Sequence, residues 1–432
     1  MAQGSIISNT ATNSAPLTTA DGTSLKHSLQ KSLRKRKRTA LLLVAPLFLF
    51  VLITFLFPIF DMLLRSVDNN VVGKILPTTI VELAKWDATS GELPNEEVFK
   101  AFVIDGQKAA KAKTIAKAGR RLNFEKSGMS SLFKKTGRKL KKFDHTKLKT
   151  TYKDTLIKVD KKWGKLLTWQ LIQRESGKYT PSHFLSAIDM KAKPDGSIGM
   201  KDEDSQIYID LFIKTLWLSS LITFLTILLG YPIAYLLASL KTKASNLLMI
   251  LVLLPFWTSL LVRTSAWIAL LQKEGVINDV LVWIGIIGED GRLAMIHNQT
   301  GTIIAMTHIL LPFMVLPLFS VMKTINPSYV RAARSMGATS FTAFRRIYFP
   351  NTVAGIGAGG ILVFILAIGY YITPALVGGT DGTLISNFIA YHISESLNWG
   401  LAAALGTILL MLVLALYILY DKIVGIDNMK LG

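Results

Sequence analysis

The chain has 432 residues, 50% of them hydrophobic, with a formal charge of +21 and no cysteine. The missing cysteines exclude disulfides, thiolate catalysis and Cys-ligated zinc. So large a positive charge would point to nucleic acid in a soluble protein, but here the apolar residues are clustered into long runs, which excludes a soluble globular chain and a nucleic-acid partner with it.

Residues 1–30 are rich in Ser, Thr, Ala and Asn and predict disorder. A tail over 1–38 ends in the run Arg34, Lys35, Arg36, Lys37 and Arg38, expected to lie in the cytoplasm against anionic headgroups, at about 1 kcal/mol per basic residue. The apolar run at 40–64 predicts a transmembrane helix over 39–65. It is too long for a removed signal peptide and lacks a small-residue cleavage site, so it is expected to stay as an anchor.

Residues 66–206 contain no spanning segment. Long loops cross the membrane largely regardless of charge, so the many lysines here are compatible with an extracytoplasmic inserted domain. Asn95 before Glu96, Glu97, Val98, Phe99, Phe102 and Val103 predicts a capped amphipathic helix. Thr180-Pro181 before Phe184, Leu185 and Ile188 predicts another. The expected domain is small and mostly helical, either a solvated insertion or a landing surface for a binding protein.

Further apolar runs at 211–239, 247–271, 301–322, 353–377 and 400–424 are each about the 20 residues a helix needs to cross a bilayer. With the first they make six predicted spans. The positive-inside rule orients them, because Lys241, Lys243, Lys323, Arg331, Arg334, Arg345 and Arg346 fall on the side of the first basic run, while the opposite loops are mixed or acidic, with Lys273, Glu274, Asp279, Glu289, Asp290 and Arg292 in one and Asp381 and Glu395 in the other. Both termini, including the tail 426–432, are then cytoplasmic. Gly230 and Pro232 in the second span predict a bendable, closely packing helix.

Between the fourth and fifth spans, the stretch Tyr329 to Pro350 predicts two short helices. Arg331, Ala332 and Ala333 lie on the first, Gly337 supplies a flexible or left-handed position, and Ala338 leads to Thr339 or Ser340 as the cap of the second. Phe341, Phe344 and Ile347 recur there at helical spacing, and Pro350 is expected to stop the helix before the next span.

This segment resembles the EAA loop of binding-protein-dependent ABC importer permeases, with Ala332, Ala333 and Gly337 in place and Arg331 where the family has Glu. Leu254-Pro255-Phe256-Trp257-Thr258-Ser259-Leu260-Leu261-Val262-Arg263-Thr264 is similar to the third-span signature of the spermidine/putrescine-type permeases. Gly275-Val276-Ile277-Asn278, Leu311 to Leu318, Ile372-Thr373-Pro374 and Asn398-Trp399-Gly400 match the same family. The resemblance covers 205–424 and the first span, and not the insert.

The resemblance implies an all-α integral membrane protein with six transmembrane helices of the type I importer kind, its transmembrane domain filling 207–425 and its ATPase-coupling loop 325–350. It implies a permease that takes a small organic solute inward by alternating access in the bacterial inner membrane. Polyamines are the leading solutes, with an opine, phosphonate or other small solute as the alternative. The expected partners are two ATPase subunits, a second and non-identical permease, a soluble extracytoplasmic binding protein and lipid. Trp257, Thr258, Arg263, Tyr370 and Tyr371 are the candidate pathway residues, the aromatics by cation–π attraction. Gly369 to Pro374 carries no acid, where polyamine permeases bear Asp or Glu. A snorkelling role for Arg263 is the plainer reading.

The chain has no phosphate-binding loop ending in Gly-Lys-Ser/Thr, so ATP and Mg²⁺ are expected on the partner ATPase and no cofactor here. His297, His308 and His392 are scattered and form no catalytic motif. An ion-coupled secondary transporter would want acids inside the spans. Neither it nor a membrane sensor would need the loop at 329–350.

Overall fold

The computed structural model describes residues 25–148, 150–193 and 197–424. The expected terminal segments 1–24 and 426–432 lie outside these residues. The chain divides into two compact units, Met1–Met62 and Leu63–Gly432.

Among the described residues five helices are long and apolar enough to cross a membrane, and a bent pair makes a sixth. Span 1 is Ser32–Arg65, span 2 Tyr208–Ser239, span 4 Gln299–Thr324, span 5 Ser340–Gly369 and span 6 Trp399–Lys422. The helix feeding span 1 begins at Leu25. The basic run expected in a disordered tail is therefore helical, because Lys and Arg are good helix formers continuing a strong apolar helix.

Two of the expected spans differ in form. Span 3 is two limbs, Thr242–Trp257 and Leu260–Trp283, bent by 97°. Pro255 lies in a 3₁₀ turn, Leu254–Trp257, Thr258 is extended, and the Ser259 hydroxyl accepts the Val262 N–H at 3.1 Å to start the second limb. Proline cannot donate to the preceding turn, and a fresh N-cap restarts the helix.

The run at 353–377 likewise breaks. Its helix ends at Gly369, and Ile372–Val377 is a separate short helix. Pro350, expected to stop the loop's second helix, does not. Span 5 runs through it, with a π-helical turn at Phe344–Tyr348 whose wider register absorbs the N–H that proline lacks.

Spans 2, 4 and 5 form the membrane core. Leu218, Ile222 and Ala234 pack with Met306, Leu310, Met314 and Leu318, and with Val363 and Ala367. A Cβ at Gly359 would stand 2.7 Å from the Met314 sulfur and 3.2 Å from its carbonyl oxygen, so glycine favours this close approach of spans 4 and 5.

The insert is a helical domain with one hairpin, Met190–Ala192 paired antiparallel to Ile198–Met200. Asn95 caps the helix Glu96–Lys111 by accepting the Val98 N–H at 3.2 Å. Thr180-Pro181 opens a short helix, Ser182–Ala187. The core of the domain is aromatic: Phe102 stands 4.3 Å from Trp163 and Phe99 4.7 Å from Trp169, ring centre to centre.

Both indole N–H groups are paired, Trp163 with the Thr136 hydroxyl and Trp169 with the Trp163 carbonyl, each at 2.9 Å. A buried ionic network closes the domain. The Arg121 guanidinium donates to Glu175 at 2.6 Å, to Glu125 at 2.9 Å and to Asn69 at 2.7 Å. Asn69 follows span 1 in sequence, so the network joins the two ends of the insert. With every charged group hydrogen-bonded, the cost of burying it is met locally.

The insert is seated on the transmembrane domain. Both carboxylate oxygens of buried Asp189 accept N–H groups at the start of span 2, from Ile207 at 3.1 Å and Ile209 at 2.8 Å. Ala187 packs with Tyr208, Leu211, Leu401 and Leu405. The buried His183 imidazole lies against Gly400 at the start of span 6. Burial, and next the Arg121 charge, lowers its pKa to about 4.

Candidate functional site: the loop between spans 4 and 5 and the two helix breaks

The loop between spans 4 and 5 is built as the residue types dictate. Asn326 accepts the Ser328 N–H at 2.9 Å and Pro327 opens the helix Pro327–Ser335. Gly337 follows at φ +89° with nothing around the missing side chain, so its only structural requirement is conformational. The Thr339 hydroxyl then accepts the Thr342 N–H at 3.2 Å and starts the second helix.

Ala333 and Ala343 turn inward and are buried, whereas Arg331, Ala332, Arg334, Ala338 and Thr339 stay at the surface or partly so. The apolar residues that project outward are Met336, 82% exposed, and Phe341, 71% exposed. Both are flanked by arginines.

Phe344 is half-buried, unlike Phe341. It lies in an aromatic cluster with Tyr231, Tyr235, Tyr348 and Phe349, at centroid distances of 6.2, 6.1, 5.8 and 6.4 Å. This cluster fastens the loop to span 2. Helical spacing alone cannot tell a residue facing a partner from one facing a neighbouring helix.

The second group of candidates sits at the two breaks. Trp257 is 74% exposed at the bend of span 3. The Arg263 guanidinium turns back onto the bend, donating to the carbonyls of Pro255 and Thr258, the latter at 3.1 Å. It adds charged donors to the carbonyl oxygens at the bend, where the Pro255 oxygen also accepts the Thr258 N–H at 3.3 Å.

The Thr258 hydroxyl donates to the Pro255 carbonyl at 2.9 Å. At the other break the Tyr370 carbonyl accepts from Ser386 at 2.6 Å, and the Tyr371 carbonyl from Asn387 at 2.7 Å. The limbs beyond the two breaks touch at Thr264 and Thr373, whose hydroxyls are 3.3 Å apart. The structure therefore brings Thr258, Arg263 and Tyr370 into one region of broken helices.

Sequence reasoning missed the residues that seat the insert, Asp189, His183 and Gly400. A signal for one of them was present, since Asn398-Trp399-Gly400 was distinctive without showing what the glycine faces.

The family model for the binding-protein-dependent transport system inner membrane component matches residues 213–424. The spermidine/putrescine transport system permease protein PotB of Haemophilus influenzae is 34% identical over 222 residues, which is 51% of this chain and 77% of that protein. Its counterpart of the same name in Escherichia coli K12 is 35% identical over 214 residues, 49% of this chain and 77% of that protein. Among solved structures, a bacterial ABC transporter involved in the import of the acidic polysaccharide alginate aligns with a TM-score of 0.43 and 21% identity. That alignment covers 53% of this chain and 81% of the other. Residues 66–206 lie outside the family match. On this identity and coverage, the chain belongs to the inner-membrane permease components of binding-protein-dependent ABC importers, of the spermidine/putrescine type.

Proposed function

We propose that this permease subunit carries a polyamine such as spermidine or putrescine into the cytoplasm by alternating access. Two ATPase subunits, with ATP and Mg²⁺ bound to them, drive it through the loop at 325–350. A second, non-identical permease and a soluble extracytoplasmic binding protein complete the assembly, and this chain holds no cofactor. The observation that carries the solute is the break at Leu254–Ser259, where Trp257 is exposed beside a polar bend. It lies within the half of the chain that matches the relatives named for spermidine and putrescine. Trp and Tyr faces attract organic cations by about 0.5–2 kcal/mol.

The test is uptake of labelled putrescine by the reconstituted transporter with its cognate binding protein. Competition by spermidine is expected. Competition by an opine, a phosphonate or sulfate, with none by any polyamine, would overturn the solute.

The sidedness has its own measurement, made clean by the absence of native cysteine. Ser90→Cys in the insert and Ser335→Cys in the loop are both exposed positions. An impermeant maleimide added to whole cells from outside the inner membrane is expected to label the first and spare the second. Equal labelling would reject the orientation with both termini in the cytoplasm.

A further inference from the structure

The insert is strongly basic, with 28 Lys and Arg against 17 Asp and Glu in residues 66–206. Four of these cations share one groove. The helix Met129–Leu140 buries Leu132, Phe133 and Leu140 in the aromatic core and exposes its cations. Between this helix and the turn that follows Glu96–Lys111 lies an open groove of about 340 Å³. Lys113, Lys134, Arg138 and Lys141 line it over a floor that includes Ala116 and Gly137, and no acid is among the lining residues.

Four cations facing one concavity with no acid between them raise the local potential, and an anionic surface is what lowers it. The small floor residues leave the concavity open to side chains that project into it, which a planar bilayer does not offer. No aromatic ring lines the groove to stack a nucleobase.

We propose that this groove docks an acidic surface patch of the soluble binding protein. The proposal rests on the importer reading above, in which such a protein presents the solute at this face. It also gives the insert a mechanical use. Asp189 and His183 tie the domain to the outer ends of spans 2 and 6, so a partner held in the groove is held against the gating helices.

The experiment uses the full chain in phosphatidylcholine nanodiscs and a fluorescein-labelled hexaglutamate peptide, titrated by anisotropy at low ionic strength. Lys134→Glu, Arg138→Glu and Lys141→Glu together are compared with Lys74→Glu, Lys100→Glu and Lys158→Glu, which change the net charge equally at exposed positions outside the groove. The groove variant is expected to weaken binding about tenfold or more, and the control about two- to threefold through net charge alone.

Equal losses in the two variants would overturn the proposal. So would binding no tighter than that of a neutral Gly/Ser hexapeptide, or groove-dependent capture of phosphatidylglycerol vesicles without capture of the peptide. Peptide binding needs neither ATP nor solute. A chain that binds hexaglutamate in the groove but shows no ATP-dependent uptake would therefore sink the importer reading separately.

Discussion

Phe341→Asp is expected to lower ATPase recovery on purification and to abolish solute-stimulated ATP hydrolysis, while the permease still inserts and folds. Phe341 is outward-facing, so the free chain loses little when it is replaced. In a complex the new carboxylate has to be desolvated in the partner's apolar site, a cost of several kcal/mol without a paired cation. Phe344→Asp should behave differently. It puts the charge among Tyr231, Tyr235, Tyr348 and Phe349, so the loop itself should loosen from span 2 and the melting temperature should fall.

Gly337→Val adds about 1–3 kcal/mol of backbone strain at φ +89° with no steric clash, and should misaim the second helix. The measurements are thermal unfolding of each variant in detergent and ATPase activity of the reconstituted complex. If Phe341→Asp and Gly337→Val both transport at the normal rate with normal ATPase recovery, the loop is not the coupling element.

Gly400→Ala is expected to be the most damaging small substitution at the seat of the insert. At an open position near a helix start, Ala in place of Gly would add stability, up to about 1 kcal/mol by helix propensity. Here a Cβ would lie 2.5 Å from Cδ2 and 2.6 Å from Cε1 of His183, with Nε2 in collision as well. The imidazole is buried and cannot swing into solvent. Overpacking of this kind costs about 1–3 kcal/mol, so strain outweighs propensity.

His183→Ala removes the obstacle, and the double variant His183→Ala/Gly400→Ala is expected to recover most of the stability that Gly400→Ala loses. Thermal unfolding of the four proteins gives the coupling energy. Additive losses would show that the two residues do not bear on one another.

The same contact is sensitive to acid. His183 is held neutral down to about pH 4, while in the unfolded chain it protonates near 6.5. Between these values the unfolded state binds more protons, so stability falls as pH drops from about 6.5 towards 4. His183→Ala should flatten that part of the profile.

The residue pattern alone was enough for a membrane-embedded helical chain, for the cap at Asn95 and for a turn at Gly337, while the choice of Thr339 over Ser340 as the second cap came from the structure. These are local properties: twenty apolar residues in a row, a side-chain oxygen three positions before an N–H, and a position where a Cβ is disfavoured. What tertiary structure decided is where side chains point once helices meet.

Phe341 and Phe344 are both aromatic residues of one short amphipathic helix. Only the placement of Tyr231 and Tyr235 on span 2 turns one inward and leaves the other free. Pro350 carries a helix-ending signal, yet the π turn at Phe344–Tyr348 passes the chain through it, a choice made by the packing of span 5 rather than by propensity.

The break in span 3, at Pro255, was not anticipated from a run that reads as one continuous apolar span. That Arg263 closes it depends on a turn back in space which hydropathy does not encode. The seating of the insert lies furthest from local sequence, because His183 and Gly400 acquire their roles only when residues more than two hundred positions apart are brought together, and Asp189 reaches the start of span 2 across the intervening hairpin.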